Sequence, residues 1–180
     1  MYWTRFLFWS LILNLCPIVA LSAETTSKDY AISFSLSDRW THRLIDTGGR
    51  YFHVVIRDSR DIANIEATAI YRSRVKDQPS LRNWMENVVV PNNLKSYSGE
   101  YPYHVSTERV HPVTLGNGIE ATAREYTLII NQNTRSIVFL FWERDVGQET
   151  VWYWVKINNA GWYRKLPDSD VFKEVLAGIK

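Results

Sequence analysis

Three stretches in the second half of the chain decide its fold: IEATAREYTLII (119–130), RSIVFLFWER (135–144) and TVWYWVKI (150–157). Each is rich in β-branched and aromatic residues, which is typical of β-strands. The turn-forming segments NQNT (131–134) and DVGQ (145–148) separate them. Strand signals begin at His104 and continue to Ile157, so this part of the chain predicts a meander of antiparallel strands rather than alternating βαβ units.

Further strands are predicted on both sides of this meander. Large apolar residues alternate with smaller ones over residues 30–36, and the stretches 51–57 and 62–71 are also apolar and β-branched. The segment Gly116-Asn117-Gly118 is the strongest hairpin turn, because these residues tolerate the positive φ that such turns need.

Two segments have the period of amphipathic helices. Apolar residues recur at i, i+3, i+4 and i+7 over residues 81–88, after Pro79, and this helix is expected to end before Pro91. The segment 167–179 carries a second apolar stripe, with Asp168 or Ser169 as its N-cap.

Together these elements predict one α+β domain over residues 30–180. In this domain an antiparallel sheet of about six to seven strands is covered by helices.

The N-terminus predicts an export signal. Residues 6–21 are apolar almost throughout and lead to small residues that suit signal peptidase at Ala23. An uncleaved membrane anchor is the alternative, but Asn14 and Pro17 interrupt a stretch shorter than the ~20 residues that span a bilayer. Cleavage after Ala23 would remove a signal peptide and leave residues 24–29 as a flexible lead-in. The protein is thus expected to be periplasmic or secreted.

The single cysteine, Cys16, lies inside this leader. The mature domain would therefore have no disulfide and no thiolate ligand, and packing alone would stabilise it. Anchoring as a lipoprotein through Cys16 is the alternative, but Leu15 stands where lipidation sites carry a small residue.

Charge and motifs exclude several function classes. A net charge of +2 with interspersed signs is not the basic surface that nucleic-acid binding requires. The four histidines, at positions 42, 53, 104 and 111, lack the spacing of metal ligands. No G-x-S-x-G motif is present. We therefore expect no nucleic-acid partner, no metal, no cofactor and no catalytic residue. Paired carboxylates such as Glu120 with Glu125, or Glu143 with Asp145, leave a carboxylate-dependent hydrolase as a third hypothesis.

The order of the elements resembles the PsbP-like superfamily over most of residues 30–180. The most recognisable pieces are FSLSDRW (34–40), in which Ser37 stands where the family usually has proline, and the hairpin LGNGIEA (115–121). This superfamily includes photosystem II subunit P, Mog-type Ran-binding import factors and small bacterial envelope proteins. The resemblance implies an antiparallel sheet covered by helices, in a family whose members mostly bind other proteins. It assigns no site residue.

Aromatic residues are dense toward the C-terminus, and two interpretations stay open. Either their rings form core under the helices, or they form an exposed platform for a partner, rimmed by arginines. The candidate partner or ligand patch consists of Trp142, Arg144, Trp152, Trp154, Trp162, Tyr163 and Arg164.

The sequence thus favours an exported, non-enzymatic envelope protein that binds another protein, of the assembly-factor or inhibitor type. Glycan or small-ligand binding through an exposed aromatic face is the alternative. Peripheral association with a membrane or a cell wall is compatible with both hypotheses.

Overall fold

The computed structural model describes residues 23–45, 47–59, 63–159 and 169–180. Its centre is a seven-stranded antiparallel sheet with the strand order β3-β4-β5-β9-β8-β7-β6, beside a two-stranded sheet of β1 and β2. The strands are β1 (Ala23–Ser27), β2 (Ile32–Leu36), β3 (Trp40–Leu44), β4 (Phe52–Asp58), β5 (Ala63–Tyr71), β6 (Tyr103–Thr114), β7 (Glu120–Ile130), β8 (Asn133–Val146) and β9 (Glu149–Asn159). The predicted meander is the run β6 to β9.

Two helices cover the sheet, and a serine caps each of them. Helix α1 consists of three contiguous segments, Leu81–Trp84, a π-helical turn Met85–Val89, and Val90–Ser98. The Ser80 hydroxyl accepts a hydrogen bond from the backbone N–H of Asn83 at 3.2 Å.

The second helix, α2 (Asp170–Gly178), begins after Ser169, whose hydroxyl accepts from the N–H of Phe172 at 3.2 Å. A 3₁₀ turn (Arg72–Arg74) follows β5.

The two faces of the seven-stranded sheet pack against different elements. On the face we call the helix face, α1 covers β7, β8 and β9, and the core is Leu81, Met85, Val89, Val90, Leu94, Tyr126, Leu128, Ile137, Phe139, Phe141, Trp152 and Trp154. On the opposite, terminal face, the β1–β2 hairpin and α2 provide the cover. Its core includes Phe34, Trp40, Ile65, Leu140, Trp142, Tyr153, Phe172 and Val175. The chain therefore forms the predicted α+β fold, with a layer on each side of the sheet.

Two expectations about local structure are wrong. The lead-in expected at residues 24–29 is instead mostly strand β1, because Ala23–Ser27 pairs with β2 in antiparallel register. Every second side chain of β2 is buried in the core, which holds the β2 backbone in place. Residues 23–27 can therefore pair with it as an added strand.

Helix α1 also does not end before Pro91. The π-helical turn changes the hydrogen-bond register immediately before the proline, so that Pro91 falls in the first turn of the last α-helical segment, where its missing N–H costs little. Asparagine side chains help at this irregular place: the Asn87 amide donates to the carbonyl of Asn83 at 3.0 Å, and the Asn93 amide donates to the carbonyl of Val89 at 2.9 Å.

The predicted hairpin at Gly116–Gly118 is confirmed, and it also contacts α2. Gly118 has φ +80°, and the Asn117 side chain accepts from the N–H of Ile119 at 3.0 Å. The N–H of Gly116 donates to the carbonyl of Leu176 at 2.8 Å. A Cβ atom on Gly116 would lie 2.0 Å from the carbonyl oxygen of Ala177, so only glycine fits here. Among the described residues, no helix is long and apolar enough to cross a membrane.

Candidate functional site

The predicted aromatic patch is not a surface in its central part. Trp142, Trp152 and Trp154 are all buried, with Trp152 fully excluded from solvent. Trp142 stacks on Tyr153 at a centroid distance of 5.0 Å on the terminal face, whereas Trp152 packs against Trp84 of α1 at 5.7 Å on the helix face. The prediction that these tryptophans form an exposed platform is therefore wrong, because the elements that cover the two faces of the sheet bury their rings.

Of the remaining members of the predicted patch, Arg144 lies within the described residues. Arg144 is exposed near the end of β8. Trp162, Tyr163 and Arg164 lie outside the described residues.

His42, His53 and His111 each lie beside a different polar side chain. The Nδ1 atom of His42 lies 2.6 Å from the Thr25 hydroxyl, and burial lowers the pKa of His42. The Nε2 atom of His111 lies 3.2 Å from a carboxylate oxygen of Glu125. Within the described ranges no three histidine, cysteine or acidic residues come together as a metal site would require.

His53 lies near a group of polar side chains formed by Glu66, Thr68, Asn93 and Lys156. Its Nδ1 atom lies 2.9 Å from the Thr68 hydroxyl, and burial lowers its pKa, partly opposed by Glu66. The buried Lys156 binds Glu66 at 2.8 Å and donates to the Asn93 side chain at 3.1 Å. Lys156 and Glu66 thus compensate each other's charge, with the Glu66 side chain 32% exposed.

The suggested carboxylate pairs do not form a hydrolytic site. Glu120 and Glu125 are an odd number of residues apart on β7, so their side chains point to opposite faces of the sheet. Glu120 accepts a hydrogen bond from Thr114, and Asp145 accepts one from Thr150. Glu143 and Asp145 share one face of β8 but are exposed.

An exposed apolar surface lies instead at the β6 edge of the sheet. We call Tyr103 and Val110, which lie on the helix-face side of β6 and are 37% and 48% exposed, the edge patch. Ile129 of β7, 40% exposed, points to the opposite face of the sheet. Among the described strands, β6 pairs only with β7, so its other side carries backbone groups that no described strand binds. A register shift between Val105 and Thr107 interrupts the pairing.

Pro112 fixes the direction of the free backbone groups along β6. It pairs with Thr122 in the ladder, and because proline has no N–H, this position fits only where the N–H would point away from β7. Directions repeat every second residue, so the N–H groups of Glu108 and Val110 also point to the open edge. Between the register shift and Pro112, the edge therefore offers a short pairing segment, residues 107–111.

A cavity of about 550 Å³ lies at one end of the sheet, and we call it the amide pocket. The C-terminal end of α1, the β7–β8 turn and the ends of β5 and β9 form it. Four asparagines, two tyrosines and one arginine dominate its wall, which consists of Asn64, Ser96, Tyr97, Ser98, Gly99, Tyr101, Ile130, Asn131, Asn133, Arg135 and Asn158.

Tyr97 is the polar anchor of the amide pocket. Burial raises the pKa of its phenol, while the positive charge of Arg135 and a hydrogen bond from Asn158 oppose that rise. A hydrogen bond that lowers a phenol pKa is donated to the phenol oxygen, so the Asn158 amide group is the donor. Within the described ranges, the other end of this amide, the buried oxygen of Asn158, has no hydrogen-bond partner.

The sequence did not predict these two surfaces. Val110 and Pro112 were visible as strand residues, but an edge strand cannot be distinguished from a central one before the strand order is known. Of the asparagines of the amide pocket, Asn131 and Asn133 were assigned to a turn and Asn64 to a strand, and Asn158 follows a predicted strand. Only the strand order brings these asparagines to one end of the sheet, so the sequence alone could not show that they cluster.

Comparison with known proteins shows the fold. No protein-family model and no curated protein matches the chain. The solution structure of cyanobacterial PsbP (CyanoP) from Synechocystis sp. PCC 6803 superposes with a TM-score of 0.57 at 14% identity, covering 93% of this chain and 98% of that chain. LpqN, involved in cell envelope biogenesis of Mycobacterium tuberculosis, superposes with a TM-score of 0.46 at 13% identity, covering 91% of this chain and 86% of that chain. The CyanoP superposition confirms what the sequence resemblance implied: the chain has the PsbP-like fold.

Proposed function

We propose that this chain is an exported, non-enzymatic protein that binds another protein, as an assembly factor or inhibitor does. The observation that carries the proposal is the edge patch beside an open strand. Exposed apolar side chains next to unpaired backbone groups are the features to which an extended segment of a partner adds as a further strand.

The proposed occupant is an extended segment of the partner that pairs with residues 107–111. The outward N–H groups of Glu108 and Val110 would supply the backbone hydrogen bonds, and the Val110 side chain an apolar contact. The exposed Arg109 lies within the same segment, so the partner's segment is expected to present a complementary carboxylate. Pro112 and the register shift limit strand addition at both ends, which restricts indiscriminate edge pairing.

Site-specific photo-crosslinking tests this surface. Tyr103 of the edge patch and Tyr51, the residue before β4, are both 37% exposed. They are therefore matched in exposure as positions at which to introduce a benzoylphenylalanine side chain. We expect a protein adduct in the producing cells from position 103 and none from position 51. Equal adducts at the two positions, or no adduct at 103, would contradict the proposal.

Val110→Pro separates strand addition from general stickiness. It removes an N–H that points outward, so the β6–β7 ladder keeps its bonds and the unfolding midpoint should change little. We expect the adduct at position 103 to be lost in this variant. Val110→Lys, which places a charge on the edge, is the second variant and should have the same effect. An undiminished adduct in both would overturn strand addition as the mode of binding.

The export part of the proposal rests on the leader predicted at residues 6–21. N-terminal sequencing of the protein recovered from its producing cells is expected to begin at Glu24. A protein that retains Met1 would contradict the cleaved leader.

A further inference from the structure

The N-terminal strand β1 lies between the two-stranded sheet and the edge of the seven-stranded sheet. Among the described strands it pairs only with β2, in antiparallel register from Ala23–Leu36 to Ser27–Ile32. A side-chain bond joins it to the larger sheet, because the Thr25 hydroxyl lies 2.6 Å from Nδ1 of His42 on β3. The bond between Thr25 and His42 therefore connects the two sheets at this edge.

The ring of His42 has no second polar partner. On the ladder His42 is paired with Ile56, whose fully buried side chain belongs to the core of the terminal face. The Nε2 atom of His42 is also buried, and within the described residues it has no hydrogen-bond partner. An imidazolium carries N–H donors on both ring nitrogens. A second proton on this ring would therefore bury a charge together with an N–H group that has no acceptor.

The carboxylates of the surrounding elements do not compensate such a proton. Asp58 of β4 and Glu174 of α2 both bind Arg39. Glu24 of β1 is exposed, and β2 carries no ionisable side chain. Burial lowers the pKa of His42 below its ordinary value of 6.5, and no described carboxylate opposes this shift.

The lowered pKa fixes the direction of the pH dependence. We call the arrangement with β1 in place the closed state, and the one in which β1 has left His42 the open state. In the open state the ring is in water, where the imidazolium is solvated. Because the open state binds the proton more strongly, the closed state loses stability as the pH falls below the ordinary pKa of 6.5.

His53 makes a similar bond in a different setting. Its Nδ1 atom lies 2.9 Å from the Thr68 hydroxyl, but its strand β4 pairs directly with β5, which β9 pairs on the other side. The negative charge of Glu66 also opposes the effect of burial on the pKa of His53. A proton on His53 therefore meets a carboxylate and a threonine that two ladders hold in place. Strand β1 has a described ladder on one side only, so protonation of His42 can displace it.

We propose that the bond between Thr25 and His42 is an acid-sensitive latch, and that protonation of His42 releases β1 from the fold. Release leaves the β2 backbone, residues 32–36, unpaired on the side that β1 occupies in the closed state. An extended segment can add to such an edge. The latch lies at the β3 end of the sheet, whereas residues 107–111 lie at the β6 end. It goes beyond the proposed protein partner and does not depend on it.

Hydrogen exchange of the purified protein at about pH 7.5 and about pH 5 tests the latch, with each protection factor corrected for the intrinsic exchange rate at that pH. We expect the amides that join β1 and β2 to be protected at least about threefold less at the lower pH, while those between β7 and β8 keep their protection. Glu174 stays ionised in both conditions, because its pKa lies below its ordinary value of 4.5. Unchanged protection of β1, or an equal loss in all strands, would overturn the proposal.

Substitutions at the two histidines assign the change to one ring. His42→Asn keeps a polar group beside the Thr25 hydroxyl but does not titrate, so we expect equal protection of β1 in the two conditions. His53→Asn is the matched control, and it should retain the loss of protection in acid. A loss in acid that persists in His42→Asn would assign the effect to another group and refute the latch.

Thr25→Val tests the other side of the bond. It removes the hydroxyl, so β1 should lose protection at least about threefold already at about pH 7.5. Unchanged protection of β1 in this variant would contradict the latch, whether or not His42→Asn folds. Crosslinking at position 103 reports separately on the β6 edge, so the two proposals can fail independently.

Discussion

The two faces of the central sheet are closed by different means. The helix face is covered by one continuous element, α1, which packs on buried side chains such as Met85, Phe139 and Trp152. The terminal face is covered by the β1–β2 hairpin and α2, which come from opposite ends of the described chain.

Directional polar contacts join the two covers of the terminal face. The carboxylate of Glu174 in α2 accepts hydrogen bonds from the backbone N–H and hydroxyl of Ser37, from the Trp40 indole at 2.9 Å and from Arg39. Beyond the helix, the backbones of Ser33 and Lys180 exchange hydrogen bonds of 2.8 and 3.0 Å. Elements so distant in sequence lose much chain entropy on meeting, and these bonds fix their relative position in addition to apolar burial. On the helix face, polar contacts also join α1 to the sheet: Arg124 lies 3.3 Å from Glu86, and Lys156 donates to Asn93 at 3.1 Å.

The largest effect is expected from removing a ring of the helix face. Trp152→Ala deletes a fully buried side chain together with its contact to Trp84, and should lower the free energy of unfolding by about 3–5 kcal/mol in urea denaturation. Arg144→Ala is the control, since an exposed side chain should change stability by less than about 0.5 kcal/mol. Similar small effects of both substitutions would mean that Trp152 is not core.

A smaller loss of stability is expected where α2 meets the β6–β7 hairpin. Gly116→Ala drives a methyl group into the backbone of Ala177, and the helix end must shift, at a cost of about 2–3 kcal/mol. Gly48→Ala is the matched control: Gly48 has φ +61° but no atom within 4 Å of the added carbon, so about 1 kcal/mol of backbone strain should result. Equal losses in the two variants, measured by urea denaturation, would refute the close approach of α2.

The smallest effect tests the carboxylate that links the two covers. Burial alone would raise the pKa of Glu174, but the hydrogen bonds from Ser37 and Trp40 and the charge of Arg39 lower it below its ordinary value of 4.5. A carboxyl whose pKa is lower in the folded state contributes stability above the unfolded pKa, and that contribution disappears as the pH falls through the folded pKa. Glu174→Gln should therefore cost about 1–2 kcal/mol at pH 7, and the difference from the natural protein should shrink below about pH 4.5.

Hydrogen exchange locates this last effect. In Glu174→Gln the amides of α2 and β2 should exchange faster, while those of α1 keep their protection, because the carboxylate contacts only the terminal face. A loss that is independent of pH, or faster exchange in α1, would show that the charge of Glu174 does not link the terminal covers.

The strands and helices of this chain are mostly readable from its sequence, since they depend on local pattern. The alternation in β2, the apolar runs of β7, β8 and β9 and the serine cap of α2 all have the predicted places. The three exceptions depend on neighbours. Strand β1 is ordered by pairing with β2, the unpredicted β3 is ordered by pairing with β4, and Pro91 is accommodated by the π-helical turn before it.

The candidate sites were less predictable for the same reason. Alternation placed Trp152 and Trp154 on one face of β9, but whether that face meets α1 or solvent is a property of the assembled layers. The amide pocket unites residues that are up to 94 positions apart, Asn64 and Asn158, which are cross-strand partners of β5 and β9. No spacing rule along the chain connects such residues.

By itself, the sequence determined an α+β chain with a C-terminal antiparallel meander and two amphipathic helices, because hydrophobic period and turn chemistry act over a few residues. Only the tertiary structure decided that the tryptophans are core, that β6 is an edge and that four asparagines share one cavity. Burial, strand order and cavity walls are properties of surfaces brought together from distant segments, and their energies arise only when those segments meet.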